Sequence, residues 1–483
     1  MRTGRSIIRG GLALVGVALL ISLIASLRAH TATAASSEAP ATITLSPQAV
    51  ALPNPGSAGR YAKPKRIAVS LGVLNAQGQS IAAGKFATPI KIRVYGPSPD
   101  VLRAEKTSIT SPASKIYFDY TGGYVANSIV VTAVSGHQFA LMSFQPKHHG
   151  FAGTRSVTFP IGNAARNIAQ GWGFMASVGG GRAHYIQMDT GSRGVIVPTS
   201  VLGKGAVGPG AAGQITYTSD GKEFLGHYYL APLTLSVGRK SVTTVPIQVL
   251  GVDKGACAPN YPKCVPPTSV GGLGMMGVGF DRGSAQGPPD PTTGERPAPT
   301  PSKAPPELTN AFLALANIIQ GSMHPGYVIS SNAVTLGITP SDTAGFKTVG
   351  LTAGGSGPGD WNTEPGCFSF PSISGYAPQC GTVLVDTGIA SAILGLPTSQ
   401  RPSSIASSIP NGEQIQIQLP TASTANPILS YSFTTGAAGN PMAPTSIRWA
   451  AGTAPFVNTG RDPIASYDYL FDDGSGKVGF KPA

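Results

Sequence analysis

An internal repeat constrains this chain more than any other feature of its sequence. Each copy contains a short apolar segment, the tripeptide Asp-Thr-Gly, a second apolar segment and the tripeptide Pro-Thr-Ser; the copies run over residues 183–200 and 382–399. A single Asp-Thr-Gly is weak evidence, because Asp and Gly are ordinary turn residues. Two copies in equivalent contexts, starting at Asp189 and Asp386, leave room for one folded lobe per copy. The repeat therefore predicts two related lobes in which a strand leads into each Asp-Thr-Gly turn.

The composition favours short β-strands joined by tight turns. The chain of 483 residues contains 63 Gly and 43 Pro, and 41% of its residues are apolar. Only 11% of the residues are charged, against about 25% in an average soluble protein, which excludes a coiled coil or a charged helical bundle. Enough apolar residues remain for a sizeable core, so we predict mostly β structure.

The basic charge does not indicate a nucleic-acid-binding protein. Lys and Arg number 34 against 21 acidic residues, which gives a net charge of +13. The basic residues are scattered, and the sequence has neither zinc-finger spacing nor the alternation of aromatic and basic residues that stacks and holds bases. No nucleic acid is therefore expected among the partners.

The types of residue at the N-terminus follow one another as in a secretory signal. Basic residues between Arg2 and Arg9 precede the apolar stretch Leu12–Leu27, and a run of small residues follows up to Ala34. The apolar stretch is shorter than the roughly 20 residues that span a bilayer comfortably. We therefore predict a signal peptide over residues 1–34, with an uncleaved membrane anchor as the alternative. In both cases the rest of the chain is secreted or periplasmic.

The four cysteines fall into two close pairs, Cys257 with Cys264 and Cys367 with Cys380. In an oxidising compartment the simplest interpretation is two local disulfides. A zinc site with four thiolates is the alternative, but neither pair has the short spacing of a zinc knuckle. No metal and no cofactor is expected.

Two regions precede the repeat. Residues 35–65 are rich in Ala, Ser and Pro and are predicted to be a linker with one strand at Ala41–Leu45. Residues 66–148 are predicted to form a small Ig-like β-sandwich, because turn residues separate short β-rich segments. These segments are Ile67–Val73, Ile90–Val94, Lys115–Phe118, Ile129–Ala133 and Gln138–Phe144. No acids, bases and nucleophiles are grouped here, which indicates a spacer or a binding module.

From about residue 155 to residue 483 the chain resembles the pepsin-like aspartic peptidases. Besides the two Asp-Thr-Gly motifs, further segments match that family in order. Gln214–Tyr217 followed by Gly221 is similar to the flap hairpin that closes over substrate. Met275–Phe280 is similar to the strand beneath the first catalytic loop, and Tyr467–Phe480 is similar to the closing hairpin.

The resemblance implies an all-β, bilobal pepsin-like fold over residues 150–483, preceded by the β-sandwich. Lobe one would cover about 150–280 and lobe two 307–483. The Pro-rich segment 281–306 cannot join a central sheet, which indicates an exposed insertion between the lobes. A helix is predicted directly after it, at Leu308–Gln320.

The resemblance also assigns roles to the residues of the two motifs. Asp189 and Asp386 would be the catalytic dyad, because two carboxyl groups a few ångströms apart share one proton and supply both an acid and a base. The residues that would orient the carboxyl groups and join the lobes are Thr190, Gly191, Ser192, Thr387 and Gly388. In the flap, Tyr217 and Gly221 would contact substrate.

Two features of the motifs bear on the charge of the dyad. Ser192 can donate a hydrogen bond to Asp189, but Ile389, at the equivalent position of the second motif, cannot do the same for Asp386. Arg193 directly follows the first motif, and a cation close to a carboxyl group favours its ionised form. We hypothesise from Arg193 that the dyad works at a milder pH than an acidic-stomach enzyme.

Two further positions depart from the family pattern. Ile196 stands where a Trp is common, so the hydrogen bond from such a Trp to the flap tyrosine is unavailable. Asn458-Thr459-Gly460 stands where the second lobe should have two apolar residues before Gly.

The sequence thus predicts an extracytoplasmic aspartic endopeptidase that hydrolyses peptide bonds through a water activated by the two aspartates. The alternative is a non-catalytic binding or adhesive protein that keeps the bilobal scaffold, because fold does not determine activity. The expected partner is a polypeptide substrate, and the protein is expected to be a monomer, with a tether to the membrane if the N-terminal segment is retained.

Overall fold

The computed structural model describes most of the chain. The described residues are 37–54, 60–122, 127–146, 153–217, 220–259, 261–281, 306–354, 359–423, 425–450 and 454–483. The predicted signal peptide and nearly all of the Pro-rich segment lie outside these ranges.

The N-terminal strands form a β-sandwich with its own core. Its strands are β1 (Thr42–Ser46), β2 (Ala49–Ala51), β3 (Arg60–Leu74), β4 (Ile90–Tyr95), β5 (Leu102–Ala104), β6 (Ser108–Ile109), β7 (Lys115–Gly122), β8 (Ile129–Ser135) and β9 (Gln138–Gln145). One sheet has the order β1-β3-β7-β5 and the other β2-β9-β8-β4-β6. Alternate residues of β1 and β7 are buried, as in strands with one face on a core. The rings of Phe118 and Phe144 meet edge to face at 5.0 Å between the sheets.

The linker prediction is wrong for residues 42–51, which form β1 and β2, and for residues 60–65, which belong to β3. β1 pairs with β3, and β2 pairs in parallel with β9. The alternation of polar and apolar residues in β1 puts Ile43 and Leu45 into the sandwich core. This burial outweighs the Ala, Ser and Pro-rich composition around the strand. The strand predicted at Ala41–Leu45 is confirmed.

Lobe one is built on one large sheet that carries the first Asp-Thr-Gly motif. Its strands are β11 (Gly173–Val178), β12 (His184–Asp189), β13 (Arg193–Pro198), β14 (Ala212–Thr216), β15 (Lys222–Ala231), β16 (Leu233–Val237), β17 (Lys240–Thr243), β18 (Ile247–Cys257) and β19 (Met275–Val278). The order is β14-β15-β18-β13-β19-β12-β11-β16-β17. β19 lies between β12 and β13, the strands on either side of the motif, as predicted for the strand beneath the first catalytic loop.

Lobe two repeats this arrangement around the second motif. Its sheet contains β23 (Pro365–Ser369), β24 (Gln379–Leu384), β25 (Ala392–Gly395), β26 (Gln414–Leu419), β27 (Leu429–Thr434), β28 (Ile447–Ala450) and β29 (Phe456–Asn458). The order is β27-β26-β23-β24-β29-β25-β28, so β29 lies between the two strands that flank the motif. β24 and β29 are parallel, as are β12 and β19.

A third sheet joins the lobes. It contains β10 (Val157–Pro160), β20 (His324–Ile329), β21 (Ala333–Ile338), β22 (Lys347–Gly350), β30 (Tyr467–Asp472) and β31 (Lys477–Pro482), in the order β10-β21-β20-β30-β31-β22. β30 and β31 form the predicted closing hairpin. The predicted all-β, bilobal fold is confirmed.

Helices in the described residues are short. The α-helices are α1 (Ala164–Gln170), α2 (Ala316–Ile319) and α3 (Pro340–Thr343). Single turns of 3₁₀-helix occur at Thr199–Val201, Pro306–Leu308, Thr398–Gln400, Ser403–Ile405 and Asp462–Ala465.

The helix predicted at Leu308–Gln320 is wrong over most of its length, since only α2 is α-helical. Asn310 is fully buried. Its side-chain nitrogen donates to the carbonyl of Val278 at 2.8 Å, and its side-chain oxygen accepts from the backbone amide of Phe312 at 2.9 Å. Such side-chain hydrogen bonds compete with the helical backbone pattern. The apolar residues from Ala311 to Leu315 are all buried, so the segment passes through the core instead of lying on it as an amphipathic helix.

The sandwich packs firmly against the lobes. Val130 of β8 and Leu141 of β9 belong to the apolar core of the two lobes, although the rest of the sandwich has a separate core. The side chain of Asn127 donates to the carbonyls of Ile318 at 2.5 Å and Met323 at 3.0 Å. Buried apolar and polar contacts therefore connect the two parts.

Phe118 tests the sandwich core. We expect Phe118→Ala to lower the free energy of unfolding by about 3–5 kcal/mol, because it removes a fully buried ring and leaves a cavity. Tyr117 is the matched control, since it is the next residue of β7 and its side chain faces solvent. Tyr117→Ala should cost less than about 1 kcal/mol. Urea unfolding followed by circular dichroism measures both; equal losses would contradict the sandwich packing.

Candidate active site

Two turns bring one aspartate from each lobe to the junction between the lobes. β12 ends at Asp189, and β24 ends at Leu384, just before Asp386. Asp189 lies opposite Gly277 of β19, and the amide of Asp386 donates to the carbonyl of Gly460 at 3.1 Å. Each turn is thus supported by a glycine of a neighbouring segment. Both aspartates are buried.

The two turns hold each other through their threonines. The amide of Thr190 donates to the hydroxyl of Thr387 at 3.0 Å, and the amide of Thr387 donates to the hydroxyl of Thr190 at 2.9 Å. Each hydroxyl donates to a carbonyl of the opposite lobe: Thr190 to Val385 at 2.6 Å, and Thr387 to Met188 at 3.2 Å. Both threonines are buried, so these hydrogen bonds are shielded from water and set the distance between the turns.

The glycines of the motifs allow the carboxyl groups to approach each other. The amide of Gly191 donates to Oδ1 of Asp189 at 2.7 Å, and the amide of Gly388 donates to Oδ1 of Asp386 at 2.8 Å. A methyl group built on Gly388 would lie 2.5 Å from Oδ1 of Asp189 and 3.0 Å from Oδ1 of Asp386. Both carboxyl groups therefore reach the same small space, and a residue larger than glycine does not fit there.

The closeness of the two carboxyl groups changes their protonation. Burial raises the pKa of Asp189 well above its usual range, and the negative charge of Asp386 raises it further. Hydrogen bonds from Ser192 and Gly191 act in the opposite direction on this pKa, but they do not cancel the increase. Like charges this close disfavour ionisation of both carboxyl groups at the same time.

Each carboxyl group has one further hydrogen-bond donor, at its Oδ2 atom. The hydroxyl of Ser192 donates to Oδ2 of Asp189 at 2.5 Å. Ile389 has no donor to offer Asp386, but the side-chain amide of Asn458 donates to Oδ2 of Asp386 at 2.6 Å. In the sequence, Asn458 is recognisable only as a departure from the family pattern. A polar residue at an expected apolar position, together with the missing hydroxyl at 389, was the signal for this contact.

The hairpin predicted to be the flap brings Tyr217 near the first motif, where it interacts with the charge of Asp189. β14 and β15 pair antiparallel, and Tyr217 follows β14 directly. The half-buried Tyr217 packs edge to face on Phe224 at 6.0 Å and joins the apolar cluster around Ile196, which occupies the position where a Trp is common. Burial raises the pKa of Tyr217 well above its usual range, and the charge of Asp189 adds to this. Gly221 has a φ of 78° at the turn between the strands.

The hypothesis that Arg193 favours ionisation of the dyad is wrong. Nη1 of Arg193 donates to Oδ2 of Asp360 at 2.7 Å, and both side chains are buried. Asp360 therefore neutralises this cation, and the pKa of Asp189 is raised, not lowered. The cation that faces the dyad is Arg461, which donates to the carbonyls of Gly388 and Ile389, each at 3.0 Å. Burial lowers the pKa of Arg461, and the charge of Asp386 opposes that change.

The predicted disulfides are confirmed. Cys257, the last residue of β18, is bonded to Cys264 and closes the loop after that strand. Cys367 and Cys380 join β23 to β24, the strand that leads to Asp386. All four thiols are thus used, which contradicts the zinc alternative. Two disulfides indicate an extracytoplasmic protein. Within the ranges that the structure describes, no helix has the length and apolar character required to cross a membrane.

Comparisons with known proteins gave matches among solved structures but none among sequences. No protein-family model matches the chain, and no curated protein matches its sequence. Among solved structures, the aspartic proteinase from Irpex lacteus is similar with a TM-score of 0.44 and 13% sequence identity. The alignment covers 68% of this chain and 98% of that chain.

Proposed function

We propose that this protein is an extracytoplasmic aspartic endopeptidase, with Asp189 and Asp386 as its catalytic dyad. The observation that carries the proposal is the pair of buried carboxyl groups, one from each lobe, that reach the same small space between matched turns. The raised pKa of Asp189 supports it, because a peptide bond is hydrolysed most easily when one acid and one base face it together.

The first step adds water to the peptide carbonyl. A water molecule between the carboxyl groups loses a proton to ionised Asp386 while its oxygen bonds to the carbonyl carbon. Asp189 gives its proton to the carbonyl oxygen. The product is a tetrahedral diol, and the dyad still holds one proton, which now lies on Asp386.

The second step breaks the bond between carbon and nitrogen. One hydroxyl of the diol returns its proton to Asp189 as the bond breaks, and Asp386 protonates the departing nitrogen. The products are a carboxylic acid and an amine, and the dyad returns to its starting state. The mechanism needs no cofactor, because every proton transfer uses one of the two aspartate side chains.

The substrate proposed for this site is an extended polypeptide. It would lie between the lobes under the hairpin β14–β15, with backbone hydrogen bonds to the flap and alternate side chains in apolar pockets. The apolar cluster beneath Tyr217, with Ile196 and Phe224, supports a preference for large apolar residues beside the cleaved bond. The two disulfides support the extracytoplasmic location. A monomer, and a tether through the N-terminal segment, stay predictions.

Replacing either aspartate tests the proposal. We expect Asp189→Asn and Asp386→Asn each to reduce cleavage of an unstructured protein by at least about 100-fold, because each removes one proton-transfer group. Asp253→Asn is the control, since Asp253 is an exposed aspartate of β18 in lobe one. Its activity should equal that of the wild type. Circular dichroism and thermal unfolding establish that all variants fold.

The result of this test separates the two function classes. Loss of cleavage in the folded dyad variants supports the peptidase. If the wild type, Asp189→Asn and Asp386→Asn are all folded and equally inactive, the proposal fails, and the binding or adhesive protein on the same scaffold becomes the better explanation.

The raised pKa of Asp189 predicts the alkaline side of the pH profile. Activity requires the shared proton, so it is lost when the pH rises through the pKa at which this proton leaves Asp189. Ser192 lowers that pKa by donating to the carboxylate. Ser192→Ala should therefore move the alkaline limb of kcat/KM upward by about one pH unit. A downward shift would contradict this account.

A further inference from the structure

The second turn lacks the hydroxyl that the first turn places on its aspartate. Ser192 and Ile389 occupy equivalent positions after Asp189 and Asp386, but only Ser192 has a donor. A buried carboxylate with an unsatisfied oxygen is costly. Asn458 fills this gap from a different segment, with its side-chain nitrogen 2.6 Å from Oδ2 of Asp386.

The orientation of the Asn458 amide follows from its second hydrogen bond. The backbone amide of Gly460 donates to Oδ1 of Asn458 at 2.9 Å, so the oxygen of the side chain faces Gly460. The nitrogen must then face Asp386, and an amide nitrogen can only donate. The Ser192 hydroxyl differs, because it can either donate to a carboxylate or accept from a carboxylic acid. The hydrogen bond from Asn458 therefore favours the ionised form of Asp386. The hydroxyl of Ser192 can bond to Asp189 in either its ionised or its protonated form.

A strand paired on both sides holds this donor. Asn458 is the last residue of β29, where it lies opposite Leu384 of β24 and Ile393 of β25. Arg461 follows on the same segment and donates to the carbonyls of Gly388 and Ile389. One stretch of chain thus supplies both a neutral donor and a positive charge behind Asp386.

The other charged or titratable groups near Asp386 do not replace this donor. Asp189 is its partner in the dyad and disfavours a second negative charge. The charges of both aspartates contribute to the raised pKa of Tyr217, which follows β14. Arg461 bonds to backbone carbonyls of the second turn. In the part of the chain that the structure describes, Asn458 is the side chain that donates to Oδ2 of Asp386.

We propose that Asn458 is a positioning residue that keeps the negative charge of the dyad on Asp386. This makes Asp386 the base towards water and Asp189 the acid towards the carbonyl oxygen. The inference rests on the proposed function for its catalytic meaning, but the location of the charge can be measured without catalysis.

The kinetic test compares the two limbs of the pH profile. Asn458→Leu removes the donor to Asp386, so protonation of Asp386 becomes easier, and the acid limb of kcat/KM should move upward by about one pH unit. The alkaline limb should stay in place, because Asp386 is ionised on both sides of that step. Ser192→Ala is the matched control and should move the alkaline limb alone. If Asn458→Leu moves the alkaline limb, or neither limb, the inference is overturned.

A rescue variant separates proton control from a merely structural effect. Ile389→Ser places a hydroxyl after Asp386 at the position that Ser192 has after Asp189. Added to Asn458→Leu, it should return the acid limb to the wild-type position. Asn458→Asp is a second variant, because its carboxyl group can still accept from Gly460, which limits the loss of folding. It should move the acid limb upward by at least as much as Asn458→Leu, since it places a second acid against Asp386. Failure of both changes would contradict the inference.

An NMR titration distinguishes failure of this inference from failure of the proposed function. The full chain, labelled at the aspartate carboxyl carbons, is titrated without substrate, and the Asp386 signal is identified by its loss in Asp386→Asn. The pKa of Asp386 should rise by about one unit in Asn458→Leu. This rise in a protein that cleaves nothing would sink the peptidase and keep the charge assignment. No rise would overturn the assignment whether or not the protein cleaves.

Discussion

The exchange of hydrogen bonds between Thr190 and Thr387 is the interaction on which the site depends. Two buried carboxyl groups repel each other when both are ionised, so they stay close only if other contacts hold their turns together. Each threonine hydroxyl accepts from the opposite amide and donates to a carbonyl of the opposite lobe. The lobes therefore meet through buried polar contacts of defined direction, which apolar packing alone would not supply.

The sequence was most informative where one local pattern determines one local structure. The motif turns at Asp189 and Asp386, the hairpin β30–β31 and the disulfides are of this kind. The sequence-based predictions failed where contacts between residues far apart in the chain determine the structure. Arg193 is neutralised by Asp360, which lies 167 residues further along the chain, and Asn458 reaches Asp386 across 72 residues. The predicted helix failed for a similar reason, because Asn310 bonds to Val278 in another strand.

The sandwich is physically continuous with the lobes. Val130 and Leu141 pack into the apolar core of the two lobes. The side chain of Asn127 donates hydrogen bonds to backbone carbonyls in and after α2. The sandwich thus buries surface that the lobes would otherwise expose to water. This packing gives the sandwich a stabilising part in the fold, whatever else it binds.

The position of the hairpin β30–β31 bears on the order in which the joining sheet can form. These strands are late in the chain, yet they lie inside the sheet that joins the lobes, between β20 and β22. A growing polypeptide has already produced both aspartates before it produces this hairpin. The joining sheet can therefore be completed only after the residues of both motifs have been synthesised.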